Sequence, residues 1–199
     1  EAAVTEALLT AAAEAGVPHF LYVSCLGTGS PSPSSFMREK ARIERVIAQN
    51  AVLRRPIVRC SVVFGPGDRF VTGLEARLRK APFVPDPTGR RLRAQPLFAG
   101  DLAAALSNLL EDGAEGRHST PSLRVVEAGG PDVLSFGDLL ELIGAAMGRL
   151  IQRVPMPWPV GAAFFFGAPG FGSRHMHPAA LPLLMAGEAC DTASFMAET

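Results

Sequence analysis

The sequence predicts an α/β fold organised as a doubly wound parallel sheet, and three features predict it. Two runs rich in apolar and β-branched residues, Phe20-Leu21-Tyr22-Val23 and Pro56-Ile57-Val58-Arg59-Cys60-Ser61-Val62-Val63-Phe64, read as buried strands, and an amphipathic helical stretch lies between them. Each strand then runs into a loop rich in glycine, proline or serine. A strand, helix and strand at this spacing make a right-handed parallel crossover, because a right-twisted strand packs back onto its sheet only in that sense.

The elements follow in order. Val4, Leu8, Leu9, Ala12 and Ala15 trace a helical stripe that stops at Gly16, a suitable C′ residue, and Val17-Pro18 turns the chain into a strand over 19–25. The loop over 27–35 (GTGSPSPSS) ends in serines able to cap a helix over 36–49 with Ile43, Val46 and Ile47 inward. A second strand spans 56–64. Beyond Gly65-Pro66-Gly67-Asp68 the pattern loosens into a helix near 72–80, a proline-punctuated stretch to Pro96, a helix near 101–110, a short strand over 123–127, and a helix capped by Ser135 that runs to about Met147. The carboxy-terminal portion therefore reads as a small irregular α/β subdomain.

Composition removes several classes of function. With 48% hydrophobic and 19% charged residues the chain is globular, and 19 basic residues against 19 acidic ones give no overall field to draw nucleic acid. Arg90, Arg91 and Arg93 form a local basic cluster that reads as a solvated loop. Cys25, Cys60 and Cys190 are odd in number and widely spaced, which fits neither a disulfide framework nor a paired-cysteine metal site, so a reducing cytoplasm is expected. His175-Met176-His177 lacks a cysteine or carboxylate to complete a metal set, and no metal is expected. The apolar run over 160–166 is far shorter than the roughly 20 residues of a membrane span. It is expected to pack on a partner or to graze a membrane.

Chemistry concentrates around Ser24 and Lys40. Ser24 ends the first strand, and Lys40 lies one turn into the next helix on the side of Phe36 by i, i+4 spacing. Loops at the carboxyl ends of such strands face the place where ligands sit in open α/β sheets. Taken alone, Ser24 would be a small polar strand end and Lys40 a solvated helix residue. Phe36-Met37-Arg38-Glu39-Lys40, following that serine by twelve residues, changes the balance. Here the chain resembles the extended and atypical short-chain dehydrogenase/reductase superfamily, in which a strand-end Ser or Thr precedes Tyr-x-x-x-Lys.

The resemblance sharpens with Val62-Val63-Phe64-Gly65-Pro66-Gly67-Asp68-Arg69-Phe70, Gln95-Pro96-Leu97-Phe98-Ala99-Gly100-Asp101-Leu102-Ala103 and Glu127-Ala128-Gly129-Gly130-Pro131. In order and spacing these are similar to the branch containing the nucleotide-binding accessory subunit of respiratory complex I, over roughly residues 1–160. What this implies is a Rossmann-like sheet binding NAD(P)(H), with Ser24 lining the cofactor, Lys40 on the nicotinamide ribose hydroxyls and Cys60, Ser61 and Val62 lining the nicotinamide. Ser24 and Lys40 occupy catalytic motif positions, but Phe36 has no proton to pass to a substrate oxygen. Tyr22, the sequence's single tyrosine, is expected to point into the core below Ser24.

Residues 1–66 are thus expected to form the latter part of a dinucleotide-binding domain, 67–160 a smaller substrate-side subdomain interleaved with late Rossmann elements, and 161–199 an apolar tail for partner contact. Gly65-Pro66-Gly67-Asp68 lacks the third glycine of a phosphate cradle and places proline inside the turn. With no other glycine-rich turn, and with a first helix already under way at Glu1, the first βαβ units are expected to be missing, and with them the residue that distinguishes NADH from NADPH. The implied role is structural or in assembly, in or beside a respiratory complex and peripheral to the inner membrane. The alternative is an NAD(P)-dependent reductase or a sugar-nucleotide epimerase or dehydratase.

Overall fold

The computed structural model describes residues 1–31, 34–50, 54–80, 83–86, 93–114, 123–157 and 189–190. In chain order the elements are α1 (Ala2–Glu14), β1 (Tyr22–Cys25), α2 (Ser35–Gln49), β2 (Arg55–Cys60), β3 (Val63–Phe64), α3 (Val71–Lys80), β4 (Phe83–Asp86), β5 (Arg93–Ala94), β6 (Leu97–Phe98), α4 (Ala99–Ala114), β7 (Leu123–Ala128), β8 (Leu134–Ser135), α5 (Phe136–Ala146) and β9 (Gln152–Pro155). They fall into two compact units, one of residues 1–61, 97–129 and 190–199, the other of 62–96 and 130–189.

The first unit is built on a parallel sheet of order β1-β2-β7. Tyr22, Ser24 and Cys25 lie in register with Ile57, Arg59 and Cys60, and the last two of these with Glu127 and Ala128. The β1-α2-β2 crossover expected from the sequence is present, and the arrangement is Rossmann-like. Ser34 begins α2 by accepting from the Met37 amide, and Arg55 closes it by donating through Nη1 to the carbonyls of Ile47 and Ala48, each at 3.0 Å. Ile43 and Ile47 from α2 meet Ala2 and Leu9 from α1 over Ile57 in one core cluster, with Phe20 and Tyr22 packed against it.

The strand expected over 56–64 ends at Cys60. Ser61 instead donates its amide to the Ala128 carbonyl at 2.8 Å, and Val62 enters the core of the second unit. That core packs Phe70, Leu74 and Leu78 of and beside α3 against Phe136, Leu139, Leu140 and Ile143 of α5. Asp68 starts α3, accepting from the Val71 amide through Oδ1 at 2.6 Å and from the Thr72 hydroxyl through its carbonyl. Arg149 finishes the helix on the carbonyls of Leu78 and Arg79. Ser135 and Asp138 form a reciprocal capping box at α5. β4 pairs in parallel with β9, and β5 antiparallel with β8.

Candidate functional site

Side chains in a strand alternate between faces, so Tyr22 and Ser24 share one face of β1, and the register extends that row from Ser24 through Arg59 to Glu127. Helix α2 covers this face. Its residues 36, 40, 44 and 47 recur at helical spacing, which aims Phe36, Lys40 and Glu44 at the polar end of a surface whose lower part is the Ile43, Ile47 and Ile57 core.

Lys40 does not meet Ser24. Its Nζ donates to the Tyr22 hydroxyl at 3.0 Å and lies 5.0 Å from the Tyr22 ring centroid and 5.7 Å from that of Phe36. The ammonium therefore sits between two aromatic side chains, a placement that their ring quadrupoles favour. Tyr22 is half-buried and packs against the core of the first unit, and its hydroxyl at the edge of that core is engaged by the lysine. Ser24 is 3% exposed, and its hydroxyl donates to Thr28 Oγ1 at 3.4 Å beneath the loop that follows β1.

Arg59 lies beside that loop and is held by two carboxylates. Glu44 receives a bidentate contact from it, Nε at 3.2 Å and Nη2 at 2.7 Å, and Glu127 lies 3.8 Å from Nη1. Gly29, at φ +110, passes over the same guanidinium, and a Cβ there would stand 3.4 Å from Arg59 Nη2. Only glycine takes that backbone conformation without strain.

The titratable groups divide by burial. Burial raises the Tyr22 phenol above its ordinary value against the opposing pull of Lys40. For Lys40 burial works against the charge, but the Tyr22 hydrogen bond, with Tyr22, Cys25 and Glu1 acting through charge, outweighs it and raises the ammonium. The pair at neutral pH is thus a neutral phenol accepting from a protonated amine. Burial raises Cys25 despite Lys40, and burial, with smaller contributions from Cys25 and Cys190, pushes Cys60 up to about 12. These thiols are protonated at neutral pH, as small core residues are.

Of the segment expected to line a nicotinamide, Cys60 and Ser61 are buried in the first unit and Val62 is buried in the second. The glycine turn at 65–68 does not suit a phosphate. The amino end of α3 already carries the Asp68 carboxylate, which also accepts from the Gly65 amide at 3.5 Å. Arg90, Arg91, the His175-Met176-His177 run, the 160–166 segment and nearly all of the expected tail lie outside the described residues. Among the described residues there is no group of three or more potential metal ligands, and no helix is long and apolar enough to cross a membrane.

Two pairings escaped the sequence reading, Tyr22 with Lys40 and Arg59 with Glu44. The second had a signal. Arg59 interrupts a buried strand and Glu44 sits beside Ile43 on an inward helix face, and charges in such places need each other.

No family model matches the chain. It is 30% identical over 155 residues to the mitochondrial NADH dehydrogenase (ubiquinone) 1 alpha subcomplex subunit 9 of Arabidopsis thaliana, covering 78% of this chain and 37% of that protein. The Dictyostelium discoideum protein of the same name is 30% identical over 131 residues, covering 64% and 33%. The chain therefore spans about a third of the length of these curated relatives. Among solved structures, a dTDP-4-dehydrorhamnose reductase from Bacillus anthracis in complex with NADP superposes with a TM-score of 0.64 at 16% identity, over 81% of this chain and 59% of that one. A UDP-galactose 4-epimerase superposes at 0.61 with 20% identity, over 94% and 68%. At these identities the structures speak for the fold. By sequence the chain is a relative of the complex I subunit 9 proteins, and its fold is the Rossmann-like α/β fold that the reductase and the epimerase share.

Proposed function

We propose that this chain supplies the nicotinamide side of an NAD(P)(H)-binding domain whose role is structural or in assembly, in or beside a respiratory complex at the inner membrane, as for the complex I subunit. The observation that carries the proposal is the aromatic enclosure of Lys40 with Phe36 at the motif position. One of the three ammonium N–H groups is held by Tyr22, which leaves two to reach the hydroxyls of a ribose. The residues present thus fit the nicotinamide-ribose half of a dinucleotide, and the described residues contain no glycine-rich strand-to-helix turn for the pyrophosphate.

When bound, the cofactor would supply a hydride carrier, and a dehydrogenase would need a proton donor at position 36. Phe36 offers a hydrophobic wall there. Lys40 would bind the ribose and Tyr22 would steady it, while Ser24 bonds Thr28 of the loop after β1. That assignment describes a retained ligand better than a turnover site.

The second reading, a reductase or sugar-nucleotide epimerase or dehydratase, is favoured by a phenol being present next to Lys40 after all, at Tyr22. Calorimetric titration of NADPH and NADH into this chain and into the longest product of its reading frame tests the proposal. Micromolar binding by the longer product without stereospecific hydride transfer to carbonyl substrates supports the assembly role. Hydride transfer supports the enzyme, and absence of binding in both proteins removes the cofactor from the account.

A further inference from the structure

Tyr22 is the only tyrosine in 199 residues, and its hydroxyl is spent on one partner, the Lys40 ammonium at 3.0 Å. A lysine side chain is a flexible four-carbon stem ending in a point charge, and nothing in the stem fixes where the charge sits. Here three contacts fix it: the hydrogen bond to the Tyr22 hydroxyl, the Tyr22 ring at 5.0 Å and the Phe36 ring at 5.7 Å. The Phe36 contact is spread over a ring face and gives no single direction to an N–H bond. Tyr22 gives that direction, because its oxygen can accept only along a lone pair.

Helix geometry explains why strand β1 can reach this lysine. Long side chains on α2 lean toward its amino end, which lies at the carboxyl ends of the strands, so Lys40 leans toward Phe36 and over β1. Tyr22, one face-repeat before Ser24, is long enough to meet it. The other titratable groups that act on the pair are the Cys25 thiol and the Glu1 carboxylate.

Resting on the reading of Lys40 as a ribose-binding group, we infer that Tyr22 is its positioning residue, orienting the ammonium so that its two remaining N–H bonds face the ligand. Tyr22 touches no ligand in this scheme and acts only through Lys40.

A double-mutant cycle tests this on the longest product of the reading frame, with NADPH as the probe in calorimetry. Tyr22→Phe keeps the ring and removes the hydroxyl, and it weakens NADPH binding about tenfold, the worth of one hydrogen bond to a charged group. In a Lys40→Met background the same change has no effect, since there is no ammonium left to orient. Tyr22→His, which can still accept a hydrogen bond, recovers part of the loss. A second, ligand-free readout is the absorbance of tyrosinate in the 199-residue chain, where only Tyr22 contributes. Removing the ammonium by Lys40→Met moves the Tyr22 titration to higher pH. An unmoved titration, or a Tyr22→Phe loss that persists in the Lys40→Met background, overturns the positioning role. NADPH binding that is unchanged by Tyr22→Phe overturns it while leaving the cofactor reading intact. Failure of the wild type to bind NADPH overturns both.

Discussion

Replacing Arg59 by methionine isolates the largely buried ion pair beside the loop after β1. The guanidinium makes two contacts to Glu44, at 3.2 and 2.7 Å, and the side chains are 23% and 9% exposed. Glu127, at 3.8 Å and 43% exposed, is a solvated partner and contributes little. Methionine fills most of the arginine stem's volume, so the main loss is electrostatic: the Glu44 carboxylate stays in the interior with its cation gone. Removing one member of a fully buried pair costs about 3–5 kcal/mol, and the solvent that reaches Arg59 lowers this to about 2–3 kcal/mol. Urea denaturation followed by tyrosine absorbance reports on the first unit through Tyr22. With a slope of about 2 kcal/mol per molar, the midpoint falls by about 1–1.5 M. The double variant Arg59→Met, Glu44→Leu removes both charges and recovers most of the midpoint, because the pair gains little over two apolar groups. A single-variant loss below about 0.5 kcal/mol, or singles that simply add in the double, would show that water reaches the pair and refute the argument.

Three further outcomes are expected. The Cys60 thiol titrates at about 12 in the fold against an ordinary 9.0, so above pH 9 the unfolded chain has fewer protons than the folded one. The contribution of Cys60 to stability is then flat below pH 9 and falls as pH rises toward 12, by at most about 1.4 kcal/mol per pH unit, and denaturant midpoints of Cys60→Ala against wild type across that range check the slope. Gly67 has φ +84 with open space around it, so Gly67→Ala loses about 1 kcal/mol by backbone strain alone, and Asp68→Ala loses a similar amount with the α3 cap, both readable as lower thermal midpoints. Leu140 is 0% exposed at the centre of the second unit, and Leu140→Ala leaves a cavity costing about 3–4 kcal/mol in urea unfolding.

What the sequence made legible was whatever depends on long periodic runs and side-chain caps. The β1-α2-β2 crossover, Ser34 and Ser135 as caps, and the helices at 71–80 and 136–146 follow from apolar spacing and from hydroxyls placed one residue before a helix. The short strands did not show. β5, β6 and β8 are two residues long and carry no period, and Pro85 inside β4 argues against a strand in any local reading. The apparent strand over 56–64 broke at Cys60 because hydropathy registers burial and does not register in which core a residue is buried: Cys60 belongs to the sheet and Val62 to the second unit. At the site, Ser24, Phe36 and Lys40 were found by spacing, whereas the hydrogen bond to Tyr22 depends on the lean of a lysine along its helix, which spacing does not encode.

The internal pairing of the site's polar groups bears on the choice between a held ligand and a turned-over one. Proton transfer needs a group that can give up a proton near neutral pH and recover it. Ser24 is covered and bonded to Thr28, Arg59 is locked to Glu44, Cys60 is pushed up to about 12, and the Tyr22 phenol is raised by burial despite the ammonium beside it. Each of these departures moves a candidate donor or base away from neutrality or away from access. Lys40 stays both charged and half-exposed, and an amine held charged by its partner binds hydroxyls well and exchanges protons poorly. Restoring a phenol with Phe36→Tyr would place an O–H near that ammonium at the motif position, so any dehydrogenase activity latent in the fold should surface there first. A Phe36→Tyr protein that binds NADPH as before and still transfers no hydride would place the loss of catalysis in the surrounding geometry, beyond the missing proton.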